Sequence, residues 1–337
     1  GDPEGWLFSE DGNIWRPASR CDDMMYLDMR SMFPTVPEGL RLSLPYLIPL
    51  LGVLLVLAVS KPRRLVRLAS PGSVRWLIMT SWLILGINNM FKLPIHVGFD
   101  PESHVEYFAY ILRNHRFPLA SEGVQMFQPP LYYILSASLY WVLGQFFPPE
   151  TSLILLRIIP LACALLLVEI SFRLLRELFP DRDDLQSCGL AVGGLLPMNL
   201  YMCQYFGNEP LASVLTALLI YRTVKTFRKT EPLRWRDAIL LGIVAGGAIL
   251  SKVTPALLLP VICLFLLFVP AREPLGLGYR TKMAGLFLLT VGIVSGWFYA
   301  RNWIVFGKPF IGGWDPLRNI FWWQDPGYRT VGDFFAF

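Results

Sequence analysis

Charge is scarce in this chain. Only 16% of its 337 residues are Asp, Glu, Lys or Arg, against about 25% in a soluble domain, so too little polar surface exists to cover a globular fold in water. Histidine is scarcer still, with His96, His104 and His115 the whole complement. The five cysteines, Cys21, Cys163, Cys188, Cys203 and Cys263, show no paired spacing, and all but Cys21 lie in or beside apolar runs. They read as packing residues rather than a disulfide framework. No P-loop, dinucleotide-binding glycine pattern or Gly-x-Ser-x-Gly elbow occurs, which leaves nucleotide-driven transport and hydrolase chemistry unsupported.

What is abundant is apolar: 54% hydrophobic and 14% aromatic residues, with a mean hydropathy of +0.47. The expectation is an all-α polytopic membrane protein. Eight runs approach or reach the 17–25 residues a crossing takes, at 44–60, 76–95, 152–174, 185–206, 209–226, 237–252, 255–270 and 283–303. The net charge of +5 is no nucleic-acid signal, because the basic residues cluster between these runs.

That clustering orients the chain. The connection 61–75 carries Lys61, Arg63, Arg64, Arg67 and Arg75, and 222–236 carries Arg222, Lys225, Arg228, Lys229, Arg234 and Arg236. Both are expected on the cytoplasmic side, with Asp100 and Glu209 on the outer side. An even number of crossings must then separate those two residues, and runs 152–174 and 185–206 supply them. A ninth run, 129–147, is therefore read as an interfacial or re-entrant helix, led by Pro129-Pro130 and carrying Tyr132, Tyr133, Tyr140 and Trp141. Three regions follow: an acidic outer segment 1–43, a transmembrane domain 44–304 with a large outer loop 96–151, and an outer segment 305–337. The chain starts at Gly1 and stops after Phe337 in aromatic-rich sequence, and both outer segments are expected to continue in a longer protein.

The outer loop concentrates the polar chemistry. Asp100-Pro-Glu-Ser reads as a helix start, with Asp as N-cap, Pro at the first helical position and Glu102 in the first turn. The helix that follows, about 101–114, carries Val105, Phe108 and Leu112 on one stripe and is expected along the membrane surface. Asp100 then either caps this helix or serves chemistry. Transfer of a sugar from a lipid phosphate needs one carboxylate to take the acceptor's proton and cationic or hydrogen-bonding groups to hold the departing phosphate. Asp100 beside Glu102, with Arg301 and Lys252 near the same face, meets that demand. His96, Asp100, Glu102 and His104 are also divalent-metal ligands by type, although Gly98 and Pro101 break a common helical register. His115 reads as an exposed loop residue.

Other polar residues have two readings each. Asn208-Glu209 is either a second acidic contact to substrate or a polar turn capping the next helix. Lys252 either snorkels to the interface or binds a lipid phosphate. Arg157, a turn inside its run, calls for an anionic partner, whereas Glu169 and Arg173 are placed for a local ion pair. Arg301-Asn302, followed by Gly307-Lys-Pro-Phe310, is either a phosphate contact or an interface anchor.

Four pieces in order carry a resemblance. They are Phe99-Asp100, His104 and Tyr107 with Arg116-Phe-Pro118 and Gln128-Pro-Pro-Leu-Tyr-Tyr133; Gly207-Asn-Glu-Pro-Leu211; Leu250-Ser-Lys-Val-Thr-Pro255; and Trp297-Phe-Tyr-Ala-Arg-Asn302 with Gly307-Lys-Pro309. Together they resemble the C-type glycosyltransferase superfamily, in its protein-mannosyltransferase and aminoarabinose-transferase branch. The resemblance implies a polyprenyl-phosphate sugar donor, inverting transfer on the extracytoplasmic face of the plasma or inner membrane, juxtamembrane helices in the first outer loop and an acidic catalytic residue there, mapping to Asp100. Glu102 is the second catalytic candidate, although Pro101 separates a pair that the branch often has adjacent. His104, Gln128, Glu209, Lys252, Arg301 and Arg157 are the candidates to contact substrate or lipid phosphate. The expected partners are membrane lipids, the lipid-linked donor and a glycan, lipid or protein acceptor. A non-catalytic lipid-glycan transporter, using Arg157, Lys252 and Arg301 as a polar path, is the alternative, and a membrane anchor for the outer segment is a third.

Overall fold

The computed structural model describes residues 70–98, 100–228, 233–268 and 276–322. The acidic segment 1–43, run 44–60, most of connection 61–75, Lys229, Arg272 and the end of the chain from 323 lie outside the described residues. Eleven α-helices are described: α1 Pro71–Met90, α2 Pro101–Asn114, α3 Leu131–Leu143, α4 Pro149–Leu155, α5 Ile158–Leu178, α6 Asp183–Gly194, α7 Pro197–Met202, α8 Glu209–Arg228, α9 Trp235–Ser251, α10 Leu258–Phe268 and α11 Leu277–Phe306. A two-residue antiparallel ladder, β1 Trp314–Asp315 with β2 Ile320–Phe321, closes the described chain.

Two units, Pro149–Leu178 and Leu277–Phe306, are long and apolar enough to cross a membrane. The other expected spans that are described are helical but shorter or more polar, so two of the eight expected crossings meet this length and composition among the described residues. At about 1.5 Å rise per residue, the 13 residues of α3 reach about 20 Å, short of a hydrocarbon core about 30 Å thick. A juxtamembrane or re-entrant position suits that length.

Run 185–206 is not one helix, which corrects the reading of it as a single span. It breaks between α6 and α7 at Leu195-Leu196. Pro197 has no N–H to donate and holds Leu196 extended, with ψ 122°, out of the helical region. Asn199 Nδ2 donates to Gly193 O at 3.0 Å, pairing one of the carbonyls the break exposes.

Three interfaces assemble the bundle. On α1 the stripe Val74, Ile78, Trp82 and Gly86 is buried at a spacing of four. Gly86 admits the Leu161 side chain of α5, and Trp82 Nε1 donates to Gly194 O of α6 at 2.9 Å. At the basic end of this seam Glu169 accepts from Arg75 at 2.9 Å and from Arg173 at 2.7 Å, so the expected local pair is part of a three-residue cluster. A second core joins α2, α3, α5 and α8 through Phe108, Tyr133, Cys163 and Val214. The third is a small-residue seam. Ala238, Gly242, Ala245 and Gly246 of α9 are buried against Phe287, Val291 and their neighbours on α11, the close approach by which helices associate where no hydrophobic force between them is available.

A Cβ at Gly242 would lie 2.6 Å from Thr290 Cβ and 2.9 Å from Phe287 O, and a backbone oxygen cannot move aside cheaply. Gly242→Ala should therefore cost about 1–3 kcal/mol, read as a lower melting temperature in detergent. An unchanged melting temperature would mean the seam is looser than described.

Candidate active site

The site begins at a strained turn. Gly98 has φ +144°, and a Cβ there would sit 2.7 Å from the Tyr205 ring, so both the backbone and the space require glycine. Asp100 follows in the left-handed region, at φ 50° and ψ 38°, which a non-glycine residue adopts at a cost of order 1–3 kcal/mol. The helix starts at Pro101 and ends at Asn114, as read. Asp100, however, is not a cap: its side chain makes no capping hydrogen bond. A capping side chain needs an extended backbone to reach back to the first free N–H groups, and the left-handed turn aims it elsewhere. Instead Oδ2 accepts from Gln125 Nε2 at 3.2 Å.

Helix α2 buries His104, Val105, Tyr107 and Phe108. His104 Nδ1 hydrogen-bonds with Tyr133 OH at 2.8 Å, the Tyr107 and Tyr133 rings stack at 3.7 Å, and Tyr107 OH donates to Gln128 O at 3.2 Å. Burial, reinforced by Lys252 and opposed by Glu209, pushes His104 down to about 4, so the imidazole is neutral at physiological pH. Burial also raises the Glu102 carboxyl, with nearby Asp100 adding to it and His96 acting against it.

Gly207-Asn208-Glu209 and Ser251-Lys252 meet this cluster from the far side. Gly207 N donates to Tyr132 OH at 3.1 Å, and a Cβ on Gly207 would lie 2.8 Å from Glu209 Oε2 and 3.8 Å from His104 Nε2. Lys252 Nζ pairs with Glu209 Oε1 at 2.6 Å. Asn208 is fully buried, donating to Gln128 Oε1 at 3.3 Å and to Ser251 O at 2.9 Å. Arg301 Nη2 donates to Phe117 O and Pro118 O, both at 2.8 Å. The four sequence pieces therefore converge on one end of the bundle.

Arg157 finds partners of another kind. Instead of an anion it has three carbonyls, Met90 O at 2.6 Å and Leu93 O and Pro94 O at 2.8 Å, the first from the last residue of α1 and the others from the turn that follows it. His115 is exposed, as expected. Among the described residues no three His, Cys, Asp or Glu side chains are grouped to hold a metal ion, so His96, Asp100 and His104 do not form the cluster their types allowed. Beside Glu209 lies a mostly apolar cavity of about 340 Å³, lined by Trp82, Leu167, Met198, Met202 and Pro210 among others.

Sequence reasoning missed Gln125 and the depth at which His104, Tyr107 and Asn208 are buried. The Gln125-x-x-Gln128 spacing in a loop closed by Pro129-Pro130 was the one signal available.

A family match places this helical chain among the membrane glycosyltransferases of the C type. The family model for dolichyl-phosphate-mannose-protein mannosyltransferase matches residues 128–299, just over half of the 337-residue chain. This chain belongs to that family, whose members are integral membrane proteins. Gln128, Arg157, Glu209 and Lys252 fall inside the matched segment, whereas Asp100, Glu102, His104 and Arg301 lie outside it. No curated protein and no solved structure matched.

The loop carrying Gln125 is clasped by Glu122, which accepts from Tyr110 OH at 2.8 Å, from Arg116 and from Leu119 N. Burial works against the charged form, but these donors outweigh it and hold the carboxyl down to about 2, against 4.5 unperturbed. A depressed pKa gives stability that is fully present above pH 4.5 and lost as pH falls toward 2. Amides of residues 116–128 should lose hydrogen-exchange protection across that window, and Glu122→Gln should show the loss already at neutral pH. Protection independent of pH and of Glu122 would exclude the clasp.

Proposed function

We propose that this protein transfers a sugar from a polyprenyl-phosphate donor to an acceptor hydroxyl on the extracytoplasmic face, inverting the anomeric carbon, with Asp100 as general base. The state of Asp100 carries the reading. Its carboxylate begins a helix without capping it, Oδ2 is held by Gln125, and Oδ1 has no hydrogen-bond partner among the described residues.

In the reaction Oδ1 takes the proton of the acceptor hydroxyl while that oxygen attacks the anomeric carbon. The bond from that carbon to the phosphate oxygen breaks, and the polyprenyl phosphate leaves with the electron pair. A phosphate leaves as a stable anion, so positive charge is needed rather than a protonating acid. Lys252 supplies it by exchanging its Glu209 partner for phosphate, with Arg301 holding the loop opposite. Glu102, raised by burial and close enough to Asp100 for their charges to interact, has the supporting acidic role. The apolar cavity beside Glu209 suits the donor's isoprenoid chain. The transporter reading needs Arg157 in its polar path, and the enclosure of Arg157 by three carbonyls speaks against that use.

Asp100→Asn should lower transfer by about 100-fold or more while donor binding persists. Activity within about threefold of the native protein would leave Asp100 a purely structural residue. Sidedness has its own test, using a background without native cysteines. A cysteine replacing the exposed His115 should react with an impermeant thiol reagent added outside cells, and one replacing the exposed Arg228 should be protected. The opposite pattern would move the site to the cytoplasmic face.

A further inference from the structure

We infer that Gln125 is a positioning residue for Asp100, the last link of an amide relay that begins at the Ser251–Lys252 segment. The inference rests on the reading of Asp100 as the general base. The relay is continuous: Asn208 Nδ2 donates to Ser251 O at 2.9 Å and to Gln128 Oε1 at 3.3 Å, Gln128 Nε2 donates to Gln125 Oε1 at 3.3 Å, and Gln125 Nε2 donates to Asp100 Oδ2 at 3.2 Å.

It is also one-way. Both ends offer an acceptor, one a peptide carbonyl and the other a carboxylate oxygen. Reversing either glutamine would set donor against donor or acceptor against acceptor, and reversing Asn208 would set its oxygen against two others. The ends therefore fix the orientation of all three amides, and burial keeps water from two of the links, Gln125 at 4% exposed and Asn208 at 0%. The Gln125 backbone is fixed as well, by turns from Met126 N to Gly123 O at 3.1 Å and from Gln128 N to Gln125 O at 3.0 Å.

The consequence for Asp100 is a division of labour between its oxygens. Oδ2 is occupied by the bond from Gln125 Nε2 at 3.2 Å, and rotation of the carboxylate would break it. Oδ1 is thereby held toward the acceptor's proton. Gln125 acts through Asp100 and has no part in binding the donor.

The test uses the full-length protein in lipid, steady-state transfer from a polyprenyl-phosphate sugar, and melting curves for each variant. Gln125→Met keeps the bulk and removes the donor, and kcat should fall about tenfold with the donor KM within about twofold. Gln125→Glu keeps the size and the acceptor for Gln128 but sets a carboxylate against a carboxylate. It should be worse than Gln125→Met, whereas a residue needed only for packing or for holding Gln128 would give the reverse order. Adding Gln128→Met to Gln125→Met should lower kcat by no more than about another twofold, because the relay is already cut. A Gln125→Met enzyme with native kcat, or Gln125→Glu more active than Gln125→Met, overturns the inference. If Asp100→Asn is inactive in the same assay, that failure belongs to the relay alone; if Asp100→Asn is active, the base reading itself has failed.

Discussion

Buried polar groups in this apolar chain are mostly paired from within it, with Gln204 Oε1 and Asn208 Oδ1 among the exceptions, and that constraint organises the site. The loop between α2 and α3 exposes carbonyls that its own short turns cannot pair. Arg301 takes those of Phe117 and Pro118, and Trp322 Nε1 takes that of Ala120 at 2.7 Å. Two donors about 180–200 residues further along thus set where the loop sits. Glu122 draws the loop inward upon itself, and the three amides tie its far end to α8 and α9. Apolar contacts add to these ties, with Phe117 against Trp297 and Met126 buried in the core.

The same constraint explains what the sequence did and did not reveal. Helices α2 and α8 were legible nearly to the residue, because proline and runs of apolar side chains mark their ends locally, whereas α11 starts at Leu277 and ends at Phe306, beyond both ends of the run 283–303. The break before Pro197 was also marked, yet composition over 185–206 averages it away. The number of crossings was less legible, since apolarity over a window does not tell a span from a shorter buried helix. At the site, residue types pointed to Asp100, Glu209, Lys252 and Arg301, but their partners are set by tertiary contact. Arg157 illustrates the limit. A buried cation suggests an anion, and only the fold reveals the end of α1 beside it.

Glu209 and Lys252 show a related economy. In water such a pair contributes little, but here it lies beside the buried, neutral His104 and against Gly207, whose lack of a Cβ leaves room for the carboxylate. A neutral imidazole adds no charge to this corner, so the lysine answers to one carboxylate alone and can be drawn away by a stronger anion without stranding a third ion.

The break between α6 and α7 has a consequence for selectivity. Had the helix continued past Leu196, Met198 and Met202 would not stand where they do, along one wall of the apolar cavity. Thioether side chains are unbranched and polarizable, and they reshape at small cost. A wall built from them grips by conforming, as a soft gasket does, rather than by matching one outline. An apolar chain seated here would accordingly be discriminated only weakly by length or saturation at this wall.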